Sequence, residues 1–443
     1  MVKIPEKAPK KELSFDVYRK MFDKDIQNKL KKATEEYLYW DDFKYIKLPD
    51  DVKPDDAWTY VKEMRQFQFI DTPIKDKTNN KFVYWVPSNF QKILHYIDQN
   101  AGGQIFSEDP RVPTGEADRY VVSTLMEEAI ASSQLEGAAT TRKKAKEMLR
   151  SGRKPVNKAE KMILNNYITI SKITDMSKEK LSKDLIFDIQ TMLTKETLED
   201  PSASGRFRRR DEEIHVVDQE DGISLHIPPD AHELEERIEE LINYANNDDG
   251  DFVHPVVKAI ILHFSLAYIH PFVDGNGRTA RAIFYWYMLK HEYRLFEYLP
   301  ISRIIKKRAK RYAKAYLYTE IDDLDLTYFL KYNLDCVNET IKDFMKYMKA
   351  KQKETRDATK FIKECPGLNY RQSELLRYAI AHPFARYTIK YHKNIHNIVY
   401  QTARADLLSL ESKGFLEKKQ IGQAFVYVPV KDINDRLKTS IEK

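Results

Sequence analysis

The run HPFVDGNGRTAR occupies residues 270–281, between the apolar segments 256–269 and 282–289. It contains a histidine, a carboxylate, an asparagine between two glycines, and two arginines three positions apart, which are residue types that a hydrophobic core does not need. Glycines let backbone N–H groups approach an anion closely, and the start of the following helix adds partial positive charge. The run therefore predicts a tight loop between two buried helices that handles a phosphorylated ligand.

The polar side chains of this loop each suit a step of phosphoryl or nucleotidyl chemistry. Asp274 is an oxygen ligand suited to Mg²⁺ that is held mainly by phosphates. Arg278 and Arg281 fall on one side of a first helical turn and could grip successive phosphates. His270 can accept a proton near neutral pH, which makes it the candidate base. Any one of these residues alone could be a helix end or a surface ion pair, but together they predict transfer to a hydroxyl.

Composition limits the class of protein. A chain of 443 residues predicts two or three domains, and 42% hydrophobic with 32% charged residues is typical of a globular protein. No apolar run is long enough for a membrane span, and the N-terminus lacks a signal-peptide core. The two cysteines, Cys336 and Cys365, are far apart, which favours a reducing compartment. We therefore expect a cytoplasmic protein with no membrane partner.

Apolar residues at helical spacing predict a mainly α fold. Residues 214–227 alternate apolar and polar side chains around a turn, which predicts a β-hairpin. Three helical segments and two strands after residue 366 follow the order of a winged helix-turn-helix domain. The predicted parts are an N-terminal region packing on the core (1–115), the core domain (116–345), a linker (346–365) and the winged-helix domain (366–443).

The loop at 270–281 resembles the Fic family motif His-x-Phe-x-(Asp/Glu)-Gly-Asn-Gly-Arg-x-x-Arg at every fixed position. The resemblance covers roughly residues 118–320. It implies a Fic-type helical bundle with a β-hairpin flap. It also implies a protein adenylyltransferase that uses ATP and Mg²⁺ to transfer AMP to a Ser, Thr or Tyr hydroxyl of a protein.

The resemblance also implies a role for each residue of the motif. His270 deprotonates the target hydroxyl, Asp274 positions Mg²⁺, and Arg281 holds the γ-phosphate. The remaining phosphate contacts are implied for Gly275, Asn276, Gly277 and Arg278. Glycine at position 277 favours AMP transfer over phosphate transfer, because the kinase-like Doc relatives carry lysine there.

Two other segments resemble parts of the family's substrate site. The hairpin at 214–227 resembles the flap, which would align the target backbone by edge-strand pairing. A hairpin with a purely structural role is the alternative. Residues 300–312 resemble the helix beside the adenine pocket, where Tyr312 either stacks on the base or is a core tyrosine.

The segment SSQLEG at 132–137 matches the family's inhibitory pattern (Ser/Thr)-x-x-x-Glu-(Gly/Asn), with Ser132 and Glu136 at its fixed positions. Glu136 continues the apolar face of a helix predicted at about 118–137, where an unpaired carboxylate is costly. We therefore expect it to pair with Arg281 and to block the productive pose of ATP. The alternatives are that Glu136 caps the helix or faces solvent. In some Fic proteins this glutamate positions a water that removes AMP, so deAMPylation is an alternative activity.

The predicted winged helix suggests a second class of function, a nucleic-acid-binding regulator with an accessory Fic domain. Its basic and amide side chains are modest in number, namely Gln401, Arg404, Lys413, Lys418 and Lys419. DNA binding and protein contact both remain open. The expected partner is a protein that presents a hydroxyl side chain, with self-modification and a homodimer as further expectations.

Overall fold

The computed structural model describes residues 3–102, 114–218, 222–247, 250–381, 385–421 and 424–441, with side chains of the helix at 114–135 described from Ser123 onward. These residues divide into two compact units, 3–102 with 123–341 and 114–122 with 342–441. Most of them are helical, which confirms the predicted mainly α fold. The predicted break around 103–113 lies outside the described residues. No helix in the described ranges is long and apolar enough to cross a membrane.

The first unit opens with short helices and one hairpin. They are α1 (Phe15–Met21), α2 (Lys24–Glu35), α3 (Trp40–Phe43), α4 (Pro54–Gln66), β1 (Ile70–Lys75), β2 (Lys81–Tyr84) and α5 (Ser88–Ala101). Asp23 separates α1 from α2, because its side chain accepts hydrogen bonds from the backbone N–H groups of Asp25 and Ile26 and caps the second helix.

The rest of the first unit is a helical bundle with a small hairpin. Its elements are α6 (Thr114–Leu135), α7 (Arg142–Ser151), α8 (Lys158–Met176), α9 (Lys183–Thr194), β3 (Val216–Val217), β4 (Ser224–His226), α10 (Leu234–Asn246), α11 (Pro255–Ile269), α12 (Asn276–Lys290), α13 (Ile301–Lys307), α14 (Ala309–Ile321) and α15 (Thr327–Glu364). Helix α6 belongs to this unit from Ser123 onward and α15 up to Ile341. The predicted hairpin is present as β3 and β4, while residues 219–221 at its turn lie outside the described residues.

Helices α11 and α12 form the centre of this bundle. Both are buried on nearly every side, and α8, α9 and α10 pack around them. Phe264 and Trp286 have no exposed surface. Burying one such side chain contributes about 1.5–3 kcal/mol, so the pair gives the loop between them a rigid support.

The N-terminal elements are joined to the bundle by buried polar contacts. The Tyr37 hydroxyl donates to Asp325 Oδ2 over 2.6 Å, and Lys62 Nζ lies 2.9 Å from Asp322 Oδ2. The backbone of Val83 bonds with Leu324 and Leu326 in both directions. Buried charges are tolerated when they are paired, and these pairs fix the N-terminal elements to the start of α15.

The second unit contains α16 (Tyr370–Ala381), α17 (Ile389–His396), α18 (Tyr400–Ser412), β5 (Leu416–Ile421), β6 (Ala424–Pro429) and α19 (Ile433–Ile441). The buried Asp406 carboxylate accepts hydrogen bonds from Asn369 and Arg371 and pairs with His392, which joins the three helices. The order of elements is the predicted one, and the winged-helix assignment stays a prediction. Residues 346–365, predicted as a linker, continue α15 as helix almost to their end.

Candidate active site

The loop between α11 and α12 begins and ends with a residue in the left-handed backbone region, which glycine adopts freely and other residues rarely adopt. His270 ends α11 in the left-handed region at φ 49°, and Gly275 precedes α12 at φ 90°. A Cβ atom on Gly275 would lie 2.9 Å from Thr194 Cγ2, so glycine is needed there for space as well as for conformation. The Asn276 side chain accepts from Phe272 N (2.8 Å) and donates to Phe272 O (2.7 Å), which closes the loop.

His270 is held as a neutral base. Its Nδ1 lies 3.1 Å from the carbonyl oxygen of Ala267, so Nδ1 carries the proton and Nε2 keeps its lone pair. Burial lowers the pKa of His270 to about 4. The backbone oxygen of His270 accepts a 2.9 Å hydrogen bond from Arg208 Nε. The ring is therefore oriented and able to accept a proton at neutral pH.

Glu136 lies against Arg281, as expected from the sequence. Arg281 Nη2 is 2.9 Å from Glu136 Oε1 and 3.0 Å from the Ser132 carbonyl oxygen, and Arg281 Nε donates to Ser132 Oγ over 2.9 Å. Burial alone would lower the pKa of Arg281, but the Glu136 carboxylate raises it above the usual value. The end of α6 thus supplies three acceptors to one buried guanidinium.

The Glu136 carboxylate also covers the first turn of α12. A Cβ atom on Gly277 would lie 2.2 Å from Glu136 Oε1 and 2.8 Å from Cδ. The first N–H groups of a helix have no partner within the helix, and they attract anions. Glu136 therefore occupies the place where this loop could bind a phosphate.

Replacing Gly277 by alanine should destabilise the protein only while Glu136 is present. The new methyl group would displace the carboxylate and break its pair with Arg281, at a cost of about 1–3 kcal/mol. In a Glu136→Gly background the same methyl group meets no carboxylate, so its effect should be small. Urea unfolding of the four proteins of this cycle measures the coupling, and equal effects in both backgrounds would refute the contact.

Arg278 and Asn276 differ from the sequence prediction. The Arg278 side chain is fully buried, donates from Nη1 to Leu193 O (2.9 Å), and places Nη2 3.0 Å from Asp274 Oδ1. The two arginines start about 60° apart around a helix of 100° per residue, on one side of it, and their side chains then bind different neighbours. In this structure Arg278 and the Asn276 amide brace the loop, and the backbone remains to contact phosphate.

Asp274 fits a single-carboxylate magnesium site. Its side chain is 36% exposed. Oδ1 accepts from Gly275 N and Arg278 Nη2, and no hydrogen bond within the described ranges involves Oδ2. No group of three or more acidic, histidine or cysteine side chains in those ranges could hold a metal by itself. The donor set therefore suits Mg²⁺ that is held mainly by the phosphates of a ligand.

A cavity of about 430 Å³ lies between the loop, the flap, the end of α6 and α14. Five predicted site residues line it together, namely Glu136, His270, Gly277, Arg281 and Tyr312. The Tyr312 hydroxyl lies 2.8 Å from His263 Nε2 and 3.1 Å from the Tyr316 hydroxyl. The Tyr312 ring is thus at the cavity wall and its polar end is engaged inside the protein.

Three polar residues support the site; Gln190 and Glu128 were not singled out in the sequence, and Arg208 belongs to the segment GRFR at 205–208, which resembles the family's segment before the flap. Gln190 donates to Asp274 O (3.2 Å) and accepts from Gly205 N (2.8 Å), and Arg208 holds His270. Glu128, buried on α6, accepts a 2.8 Å hydrogen bond from Ser302 N at the start of α13. The only sequence signal for Gln190 and Glu128 is a polar side chain among the apolar positions of a helix.

The comparisons with known proteins agree with this geometry. Residues 180–288 match the Fic/DOC family. The protein adenylyltransferases Fic of Drosophila melanogaster and Drosophila mojavensis are 30% and 29% identical to the chain over 143 residues, which is 32% of this chain and 25% of each relative. The chain thus spans about a quarter of the length of the curated relatives it matches.

A solved structure shares the fold. A Fic family protein from Desulfovibrio desulfuricans G20 superimposes with a TM-score of 0.51 at 16% identity, covering 77% of this chain and 95% of that chain. The family match identifies a Fic domain at residues 180–288 of the chain described here, and the shared fold agrees with it.

Proposed function

We propose that this protein transfers AMP from ATP to a hydroxyl group of a protein, and that Glu136 restrains the reaction. The observation that carries the proposal is that a neutral His270 and the anion-binding side of Gly277 and Arg281 line one cavity. A base and a phosphate site that share a cavity are what in-line attack on a phosphate requires. The Drosophila relatives are protein adenylyltransferases, which supports AMP transfer as the reaction.

In the proposed reaction, the hydroxyl oxygen of the target attacks the α-phosphorus. His270 Nε2 takes the hydroxyl proton as the new O–P bond forms, and the bond from the α-phosphorus to the pyrophosphate oxygen breaks. The N–H groups at the start of α12 and the Arg281 guanidinium stabilise the phosphate charge. Mg²⁺ bound beside Asp274 would neutralise part of the charge on the leaving pyrophosphate.

The target is a protein segment that lies along the flap. Three aliphatic side chains of the flap are exposed, Val217 (46%), Ile223 (42%) and Ile227 (50%). A short strand edge next to exposed aliphatic groups can pair with an extended peptide through backbone hydrogen bonds. This edge lies beside the cavity that contains His270, because Val217 lines that cavity as well.

Glu136 restrains the reaction because it occupies the phosphate site. A triphosphate that used Arg281 would have to displace the carboxylate from both Arg281 and the Gly277 backbone. Ser132 continues to bind Arg281 when Glu136 leaves, so the guanidinium keeps its place. The restraint is therefore a competition between the Glu136 carboxylate and the triphosphate for one phosphate site, and it needs no rearrangement of the loop.

Mass spectrometry of the Glu136→Gly protein tests this proposal. The variant is incubated with Mg²⁺ and an equal mixture of four ribonucleoside triphosphates, with and without a mixture of cell proteins. An added adenylyl group on Ser, Thr or Tyr is the expected result. Addition of a phosphoryl group alone, or of another nucleotide, would contradict the proposed reaction, and loss of AMP from modified proteins would favour deAMPylation.

The pH dependence of transfer should follow His270. Because burial lowers the pKa of His270 to about 4, the ring stays neutral and able to accept a proton as the pH falls from 7 to 5. Below about pH 4 the ring becomes protonated and transfer is lost. Initial rates of the Glu136→Gly protein across this range measure the effect. A loss of rate already centred near the ordinary histidine pKa of about 6.5 would contradict the buried base.

A further inference from the structure

One side chain joins the flap strand β4 to two other elements of the core. The ring of His226 places Nδ1 2.9 Å from Glu320 Oε2 on α14, and Nε2 2.8 Å from the carbonyl oxygen of Tyr268 on α11. The His226 side chain is 10% exposed. Strands β3 and β4 contain only two and three residues, and an isolated two-stranded hairpin is marginally stable in water. Attachment to the core therefore determines where the flap lies.

The partners of His226 fix its protonation. A carbonyl oxygen and a carboxylate oxygen both accept hydrogen bonds, whereas a neutral imidazole has a single N–H group. A neutral ring beside an ionised carboxylate has one proton for these two bonds. Both bonds form only if the His226–Glu320 pair carries a second proton. The arrangement is thus a protonated bridge between β4, α11 and α14.

This bridge ends next to the base. Tyr268, whose carbonyl oxygen accepts from His226, is two residues before His270. Arg208, just before the flap in the chain, donates to the carbonyl oxygens of both Pro229, just after the flap, and His270. The flap is therefore attached to the backbone that carries the base. A shift of the flap would change the distance between a target bound on its edge and His270.

We propose that His226 is a positioning residue, which holds the flap edge in register with His270 by donating from both ring nitrogens to Glu320 and Tyr268. The proposal rests on the proposed function for its catalytic consequence, although the bridge itself is a property of the fold. Loss of the extra proton would break one of the two bonds and release β4 from α11 or α14.

Glu320 is the charged group that contacts the His226 ring. The other ionisable groups that line the cavity with this pair are Glu136, Asp218, Tyr268, His270, Arg281, Lys310, Tyr312 and Tyr316. Burial raises the pKa of Tyr268 to about 12, so this phenol is neutral. Burial and also the positive charge of His226 lower the pKa of His270, which keeps the base unprotonated. The protonated bridge and the neutral base are therefore compatible.

Nitrogen NMR of the ring signals tests the bridge without any activity. In protein labelled with ¹⁵N-histidine, the His226 signals are assigned by their loss in His226→Phe. Two protonated ring nitrogens at pH 7 are the expected result. A His226 ring with one unprotonated nitrogen overturns the bridge, even in an active enzyme.

Kinetics in the Glu136→Gly background test the positioning role. His226→Phe cannot make either bond, so transfer to protein should fall by about 10- to 100-fold at every pH, while nucleotide affinity and thermal unfolding change little. Glu320→Gln is the conservative variant. Its amide can donate to Nδ1 while a neutral ring donates to Tyr268, so all bonds persist without the extra proton.

The parent and Glu320→Gln should therefore differ in their pH dependence. Transfer by the parent should decline over the pH range in which the ring signals show that the bridge loses its proton, and this decline should be absent in Glu320→Gln. The same decline in both proteins, or full transfer by a folded His226→Phe, would overturn the positioning role. A parent that transfers no AMP would overturn the proposed function instead, and the ring signals would still decide the bridge.

Discussion

Replacing Glu136 by glycine is expected to increase AMP transfer by about 5- to 150-fold, the range that a coupling free energy of about 1–3 kcal/mol produces. The increase follows from the contacts of Glu136, which pairs with Arg281 and covers the backbone at Gly277. Removing the carboxylate leaves both groups free for the triphosphate. Initial rates with α-labelled ATP, at ATP concentrations below saturation, measure the change.

The matched control is Glu179→Gly. Glu179 also follows a helix in a turn, and its side chain is exposed and far along the chain from the motif. The same substitution there should leave the rate of transfer unchanged. Glu136→Gln adds a graded test, because it keeps the shape of the side chain and removes the charge that Arg281 contacts. Equal rates for wild type and Glu136→Gly would refute the restraint.

Replacing His270 by alanine in the Glu136→Gly protein should lower transfer by about 100- to 10,000-fold, the usual contribution of a general base. The loss follows from the free Nε2 of the buried, neutral ring, which alanine cannot replace. Nucleotide binding should persist, because the phosphate contacts come from Arg281 and the start of α12. Transfer rates and nucleotide titrations on the same protein separate the two effects.

His95→Ala is the control for this loss. His95 lies on an exposed position of α5, so its removal should change neither transfer nor binding. A His270→Ala protein that transfers AMP at the parent rate would show that another group accepts the proton. Loss of nucleotide binding together with transfer would instead show that the left-handed end of α11 had been disturbed.

The motif loop could be predicted because its information is local. The loop between two apolar segments, the glycines and the histidine at the end of α11 follow from residue order alone. The pair between Glu136 and Arg281 joins residues 145 apart. It could be predicted because a carboxylate on an apolar helical face needs a cation, and Arg281 of the motif is the natural candidate. The roles of these residues remain predictions.

The contacts of Arg278 and Asn276 could not be predicted, since they depend on atoms of the packed structure. An arginine in a phosphate-binding loop suggests a ligand, and only the position of the Leu193 carbonyl oxygen shows that the side chain turns inward. The segment 346–365 was predicted to be a linker because it is highly charged. Its lysines, glutamates and alanines also favour helices, and they continue α15 over 38 residues in all.

Under the proposed function, the position of Glu136 over the start of α12 makes it a tethered inhibitor. A ligand attached through a helix has an effective concentration that is set by the stiffness of its attachment and not by the amount of protein present. Dilution therefore leaves the occupancy of the phosphate site unchanged. The end of α6 is held by Gln134, which donates to Thr140 O over 2.6 Å and contacts Lys306. Any partner that loosened this attachment would lower the effective concentration of Glu136 and admit the nucleotide.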